Sequence, residues 1–221
     1  MTFTPEQIRE RIAALGPWYH NIDLGRGIWT LGGEHGAARG AYAPEVAAAI
    51  PADLTGKRVL DLGCNAGYFS FLCEDRGATV IGIDRNKDFI RQARFCAKVK
   101  ESKVTFCQRS VYGIDKLGTF DLVLFLGLCY HLTDLDGMFT QFKVVCSDMM
   151  IFETAAFTLE WEHKLPLVLI TTENHPAQAG HQYPNRAAIY HFLRRGGFKD
   201  ITPVFERTRA CYIAHKHKQE E

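Results

Sequence analysis

The stretch "VLDLGCNAGYFSF" at residues 59–71 constrains this chain more than any other. An apolar run carries Asp61 near its end, passes through Gly63-x-x-x-Gly67, and enters a segment with the apolar spacing of a helix. The glycines permit a tight turn and close approach of a ligand to the backbone. The helix start behind them leaves N–H groups without intrahelical partners. The chain that follows repeats the strand-then-helix plan. Strands are predicted at 58–62, 79–83, 103–107, 120–126 and 149–154, and helices at 67–76, 86–98, 135–146 and 186–195. Such alternation builds a doubly wound α/β sheet with helices on both faces. Two last strands, 199–205 and 208–215, are joined by too little chain for a helical crossover and should pair antiparallel. The expected fold is a mostly parallel seven-stranded sheet with an antiparallel C-terminal strand.

Ahead of this core, Thr4-Pro5-Glu6-Gln7 has the form of a capping box with proline at the first helical position, and Gly16-Pro17 stops the helix. Residues 18–36 are rich in glycine and aromatics, which suits a covering loop, and 43–50 read as a short helix. The expected division is an N-terminal helix and lid segment at 1–50 and a core at 51–221. A long insertion at about 155–184 lies on the substrate side, and "KHKQEE" forms a frayed tail.

Composition narrows the function. The chain has 221 residues, 47% hydrophobic and 23% charged, enough for one domain with a substantial core. A net charge of +1 gives no global case for clamping a phosphate backbone. The densest local basic cluster is Arg194, Arg195, Lys199, Arg207 and Arg209, and Arg194 and Arg195 also suit a helix C-terminus. Seven cysteines with no C-x-x-C fit buried thiols in a reducing compartment rather than a disulfide frame or zinc site. No apolar run is long enough to span a membrane, and the start of the chain lacks a secretory segment, so a cytoplasmic protein is expected. His163, His175 and His181 have irregular loop spacing, and no metal site is expected from them. Nothing in the sequence specifies an oligomeric state.

The loop chemistry points to a cationic nucleotide-like ligand. Asp84 ends the second strand, where a carboxylate can accept both hydroxyls of a ribose. A dinucleotide fingerprint would read G-x-G-x-x-G; here Asn65 stands at the middle glycine and Asp61 precedes the first. An acid there disfavours a pyrophosphate, and with it an NAD-dependent oxidoreductase, and favours a sulfonium beside an ammonium. In its strand–loop–helix setting the stretch resembles motif I of class I S-adenosylmethionine-dependent methyltransferases. The resemblance covers about 57–215: "FCQRSVYGI" puts Ser110 and Val111 at the adenine, "FDLVLFLG" resembles the fourth strand that ends beside the methyl group, and "RRGGF" resembles the usual C-terminal ending. The family's first loop implies Asp61, Gly63, Cys64, Asn65 and Gly67 as cofactor contacts.

A closer likeness lies in "GLCYHL" (127–132), with "PWYHNIDL", "LTGKRVLDLGC", "IFETAAF" and "RACYIAHK". These resemble the family that includes the tRNA wobble-uridine carboxymethyltransferases. The resemblance implies Trp29, Gly63, Asp84, Arg85, Val111, Leu126 and Tyr130 on the cofactor, with Arg209 nearby. That family holds the carboxylate of carboxy-S-adenosylmethionine with a lysine, a tyrosine and an arginine. Tyr130 and Arg209 match the last two, but the nearest residue to the lysine is His20, which is at most partly charged at neutral pH. Ordinary S-adenosylmethionine is therefore expected rather than the carboxylated form, and a small-molecule acceptor rather than tRNA.

Methyl transfer from a sulfonium needs alignment first, and a base only for acceptors that must lose a proton. His131 is the candidate base, with a backbone-holding role as its equal alternative. Tyr130 is assigned to the cofactor, since an ordinary phenol is a poor proton acceptor at pH 7. Glu153 is the candidate to orient the imidazole or a substrate group, with capping of a neighbouring loop as its equal alternative. Tyr19 and His20, with His131, are assigned to the acceptor. Trp18, Tyr19, His20 and Trp29 form either a lid or a staple on the core. A cofactor-binding protein without catalysis, acting as a partner subunit, keeps the same signals and stays open as an alternative.

Overall fold

The computed structural model describes residues 3–31, 43–157, 164–171 and 180–217. The chain divides between Ser110 and Val111 into two compact units.

The first unit begins with α1 (Pro5–Leu15), where Gln7 N–H donates to the Thr4 hydroxyl and the Gln7 side chain accepts from Thr4 N–H, completing the expected capping box. Trp18 is buried, and its indole N–H donates to the carbonyl of Ile12 at 2.9 Å. This tryptophan therefore staples the helix rather than roofing a site. The short α2 (Ala43–Ala49) is held by Arg76, whose guanidinium takes the carbonyls of Ala47, Ile50 and Pro51 at 3.1, 2.5 and 3.3 Å. A cation there meets the negative end of the helix dipole. Then come β1 (Arg58–Leu62), α3 (Tyr68–Asp75), β2 (Thr79–Asp84), α4 (Lys87–Lys100) and β3 (Thr105–Gln108). The β1–β2 and β2–β3 pairs are parallel, and β1 is buried from Val59 to Leu62, as expected of a strand covered on both faces. On α4, Gln92 lies in the buried face, and its amide donates to the carbonyls of Leu15 and Pro17. It ties the end of α1 to the helix.

The second unit carries β4 (Phe120–Leu126), a 3₁₀ turn at Cys129–His131, α5 (Leu135–Val145), β5 (Cys146–Ala155), β6 (Val168–Ile170), β7 (Gln182–Pro184), α6 (Arg186–Arg195), β8 (Asp200–Glu206) and β9 (Arg209–His215). β4 and β5 run parallel; β5 with β9 and β9 with β8 run antiparallel. Phe125, Phe139, Phe142 and Phe152 pack on one another with ring centroids 5.3–5.8 Å apart and fill this core. The seven strands form one mostly parallel sheet in the order β3-β2-β1-β4-β5-β9-β8, as the sequence predicts, and β6–β7 form a separate antiparallel ribbon.

Three details depart from expectation. β3 starts at Thr105 because its ladder to β2 begins with Ile81↔Thr105. The described part of the 155–184 insertion contributes the β6–β7 ribbon, while 158–163 and 172–179, with His163 and His175, lie outside the described residues. The first residue of the expected frayed tail, Lys216, is buried, and its ammonium donates to the carbonyls of Phe142 and Gly196 at 2.8 and 2.5 Å.

Candidate functional site

In the first unit the loop after β1 assembles most of the predicted cofactor residues. Gly63, Asn65 and Gly67 have φ of +71°, +51° and +90°, so three left-handed residues fold this short turn. Gly63 and Cys64 N–H groups donate to the carbonyl of Ile83, and Gly67 N–H donates to that of Cys64. A Cβ at Gly67 would stand 2.5 Å from the Phe106 ring, so glycine is required both for its φ and for the space. Gly67 also caps α3 without any side-chain bond, so the first N–H groups of the helix face the loop uncapped.

Two carboxylates frame this loop. Asp84 accepts Asn65 N–H at 3.1 Å on one oxygen and Asn86 N–H at 2.8 Å on the other, which fixes it while leaving each oxygen a lone pair for a hydroxyl. Burial raises its pKa against those bonds. Asp61 is deeper, 3% exposed, and accepts the Ser70 hydroxyl at 2.5 Å. Burial, reinforced by the charge of Asp84, raises its pKa to about 7. The residues implied for this loop thus sit together: Asp61, Gly63, Cys64, Asn65, Gly67 and Asp84. Arg85 follows as an exposed side chain, and Ser110 is exposed at the end of the unit. Ser70 was not anticipated, although its place one turn into α3 is the signal that could have found it.

His20 packs on the same helix start. It stacks on Tyr68 at 5.3 Å, meets Tyr19 and Phe69 edge-on, and is 8% exposed. Burial lowers its pKa to about 4, so the ring is neutral at pH 7 and cannot replace a lysine's fixed charge. Its Nδ1 is buried with no hydrogen-bond partner, a polar atom that a ligand could satisfy. Trp29 is half-buried in the preceding loop, bridged to Asp23.

In the second unit Leu126, Tyr130, His131, Glu153 and Arg209 come together. Gly127 N–H donates to the carbonyl of Glu153 at the end of β4. Glu153 is fully buried and pairs bidentately with Arg209, at 2.5 and 2.8 Å. Burial pushes the Glu153 carboxyl up, and Arg209 opposes that shift. Arg209 in turn lies 5.4 Å from the centre of the Tyr130 ring. The expectation that Glu153 orients the imidazole is corrected: the carboxylate is committed to Arg209, and a ring 4.2 Å from Tyr130, that of His131, turns instead to His181. His131 Nδ1 and His181 Nε2 are 2.9 Å apart, and His181 Nδ1 is 3.3 Å from the Tyr183 hydroxyl. His181 and Tyr183 flank Gln182 at the start of β7, and no sequence pattern marks Tyr183. Val111, buried, opens this unit.

Other chemistry is limited. Among the described residues no group of three or more His, Cys, Asp or Glu is placed to hold a metal ion, and no helix is long and apolar enough to cross a membrane. All seven cysteines are free, and burial lifts Cys96, Cys129 and Cys146 to about 12, which leaves them inert as nucleophiles.

A mostly parallel seven-stranded sheet with an antiparallel last strand, and an acid-framed glycine loop after its first strand, defines a class I methyltransferase fold. A family model described as "Methyltransferase domain" matches residues 53–203, and the chain belongs to that family. Similar proteins include the tRNA U34 carboxymethyltransferase of Ectopseudomonas mendocina (strain ymp), 30% identical over 159 residues, 69% of this chain and 48% of that one. The ubiquinone biosynthesis O-methyltransferase of Vibrio parahaemolyticus serotype O3:K6 (strain RIMD 2210633) is 34% identical over 83 residues, 37% of this chain and 35% of that one. The chain thus spans half or less of the length of these curated relatives. Among solved structures, the N-terminal domain of EvdMO1, crystallised with S-adenosylhomocysteine and D-fucose, superposes with a TM-score of 0.74 at 20% identity over 97% of both chains.

Proposed function

We propose that the protein is an S-adenosylmethionine-dependent methyltransferase that acts on a small-molecule nucleophile. The observation that carries the cofactor reading is the Asp61–Asp84 loop. Its residues fit the group: Asp84 has acceptor capacity for a ribose diol, Asp61 suits an ammonium, and the start of α3 has no side-chain cap at Gly67. Bound there, S-adenosylmethionine supplies an electrophilic methyl on a sulfonium. Solved relatives of the fold carry S-adenosylhomocysteine or S-adenosylmethionine, which supports the same assignment.

The acceptor reading rests on charge. With Arg209 committed to Glu153 and His20 neutral, the residues matched to the carboxylate-holding set of the tRNA enzymes offer one neutralised cation and no fixed one. That favours plain S-adenosylmethionine over the carboxylated cofactor. The neutral overall charge argues against tRNA as acceptor. Likeness to tRNA U34 carboxymethyltransferases over about 70% of the chain keeps wobble-uridine modification as the second reading. The assay is transfer of label to a deproteinised small-molecule extract or to total tRNA, from methyl-tritiated S-adenosylmethionine and, in a parallel arm, from carboxy-S-adenosylmethionine tritiated in its carboxymethyl group. Label in the small-molecule fraction is expected. Label confined to tRNA would transfer the assignment to the second reading. Absence of label from both, with S-adenosylhomocysteine bound, would point to a non-catalytic partner protein.

A further inference from the structure

The second unit holds a chain of three side chains that the methyl-transfer reading does not by itself use. His131 closes the 3₁₀ turn after β4, exposed, with its Nδ1 set 2.9 Å from Nε2 of His181. His181 Nδ1 lies 3.3 Å from the hydroxyl of Tyr183. The rings of His131 and His181 meet edge-on at 89°, with centroids 4.4 Å apart, and the two nitrogens are the atoms in hydrogen-bond contact. Tyr183 and Tyr130 stack nearly parallel at 6.0 Å. The β6–β7 ribbon fixes the outer members: Thr171 N–H donates to the carbonyl of His181, and the Gln182 amide donates to that of Thr133, beside the turn.

We propose that Tyr183, His181 and His131 form a proton relay in which His181 is the positioning residue that makes His131 a base. The inference rests on the methyl-transfer reading and deepens it. A neutral imidazole is a base at the nitrogen that lacks the proton, and an acceptor for its other N–H fixes which nitrogen that is. His181 Nε2 is that acceptor, provided the His181 proton is on Nδ1 and directed at the Tyr183 oxygen. Both rings then take the Nδ1–H form, and the lone pair of His131 is on Nε2. In the step this arrangement serves, an acceptor O–H bond breaks, its proton adds to His131 Nε2, and the electron pair stays on the oxygen. The Nδ1 proton of His131 can cross to His181 Nε2, so the positive charge is shared with a second imidazole that donates to Tyr183. The relay assigns the acceptor to a class that must lose a proton before it can accept a methyl group, an alcohol or phenol rather than a thiolate.

Long-range proton–nitrogen NMR of the imidazoles, at neutral pH and without any acceptor, tests this directly. The neutral imidazole by default prefers the Nε2–H form, so the relay predicts a reversal: His131 and His181 both protonated at Nδ1. His181→Phe should return His131 to the Nε2–H form, whereas His181→Gln, whose amide oxygen can accept, should retain the Nδ1–H form. Tyr183→Phe should lose the Nδ1–H form of His181. Nε2–H on His131 in the wild type, or an unchanged His131 in His181→Phe, would overturn the relay. S-adenosylhomocysteine titrated into the same wild-type sample separates the two claims. No binding would sink the methyl-transfer reading, whatever the tautomers.

Discussion

Asp61 and His20 are buried groups on the same helix start whose titrations pull stability in opposite directions. The folded pKa of Asp61 is raised from 3.8 to about 7, so its stabilising effect is complete below pH 4 and is lost as pH rises to 7. That of His20 is lowered from 6.5 to about 4, so its effect is present above pH 6.5 and is lost as pH falls to 4. Between pH 4 and 6.5 the slopes oppose. Asp61→Asn should make the melting temperature fall more steeply on acidification, and His20→Phe should make it rise, each on the order of 2 kcal/mol across the window. Parallel profiles in all three proteins would contradict both assignments. An ammonium beside Asp61 favours its ionised form, so S-adenosylhomocysteine, placed with its ammonium there, should release protons and bind more tightly at pH 8 than at pH 6. Asp61→Asn should flatten that dependence in calorimetry. At the second buried carboxylate, Arg209→Met strands the Glu153 charge and should cost about 3–5 kcal/mol in urea unfolding. Glu153→Met with Arg209→Met should recover most of that loss, because both members of the pair are then gone.

At the scale of elements, the turn between β1 and α3 tolerates no side chain at Gly67. Gly67→Ala combines a φ of +90° with a Cβ 2.5 Å from Phe106 and should destabilise by at least about 2 kcal/mol. Gly113→Ala has a similar φ of +75° but open space around its Cβ, so it should cost only about 1 kcal/mol. Equal losses would mean that the packing against Phe106 is not what holds the loop. This loop was legible in the sequence because Asp61, the glycines and Asp84 are set by local spacing. So were the strands, whose apolar runs announce them. The exceptions are where neighbours decide: β3 begins where its register with β2 begins. The β6–β7 ribbon is three residues a strand, with Leu169 and Ile170 exposed, and it carries no alternating pattern to read. The His131–His181 contact spans fifty positions, so only the folded ribbon reveals it. The Glu153–Arg209 pair is hidden for the same reason: Arg209 sits opposite Ala155 on β9 and reaches Glu153 only once the two strands are paired.

For the molecule as a whole, a net charge of +1 conceals a set of committed charges. Arg209 is taken up by Glu153, Arg186 by Glu206 and Arg195 by Asp136, while Lys216 is spent on helix-end carbonyls. What remains distinctive is a pair of carboxylates at a glycine loop, chemistry for a cationic nucleoside rather than for a polyanion. The most direct measurement is calorimetric titration of the whole protein with S-adenosylhomocysteine, alongside Asp84→Ala and with NADH as the competing ligand class. Saturable binding of S-adenosylhomocysteine, weakened at least about tenfold by Asp84→Ala, with no heat from NADH, is the predicted result. No binding of S-adenosylhomocysteine to the wild type, or an affinity untouched by the loss of Asp84, would contradict the account.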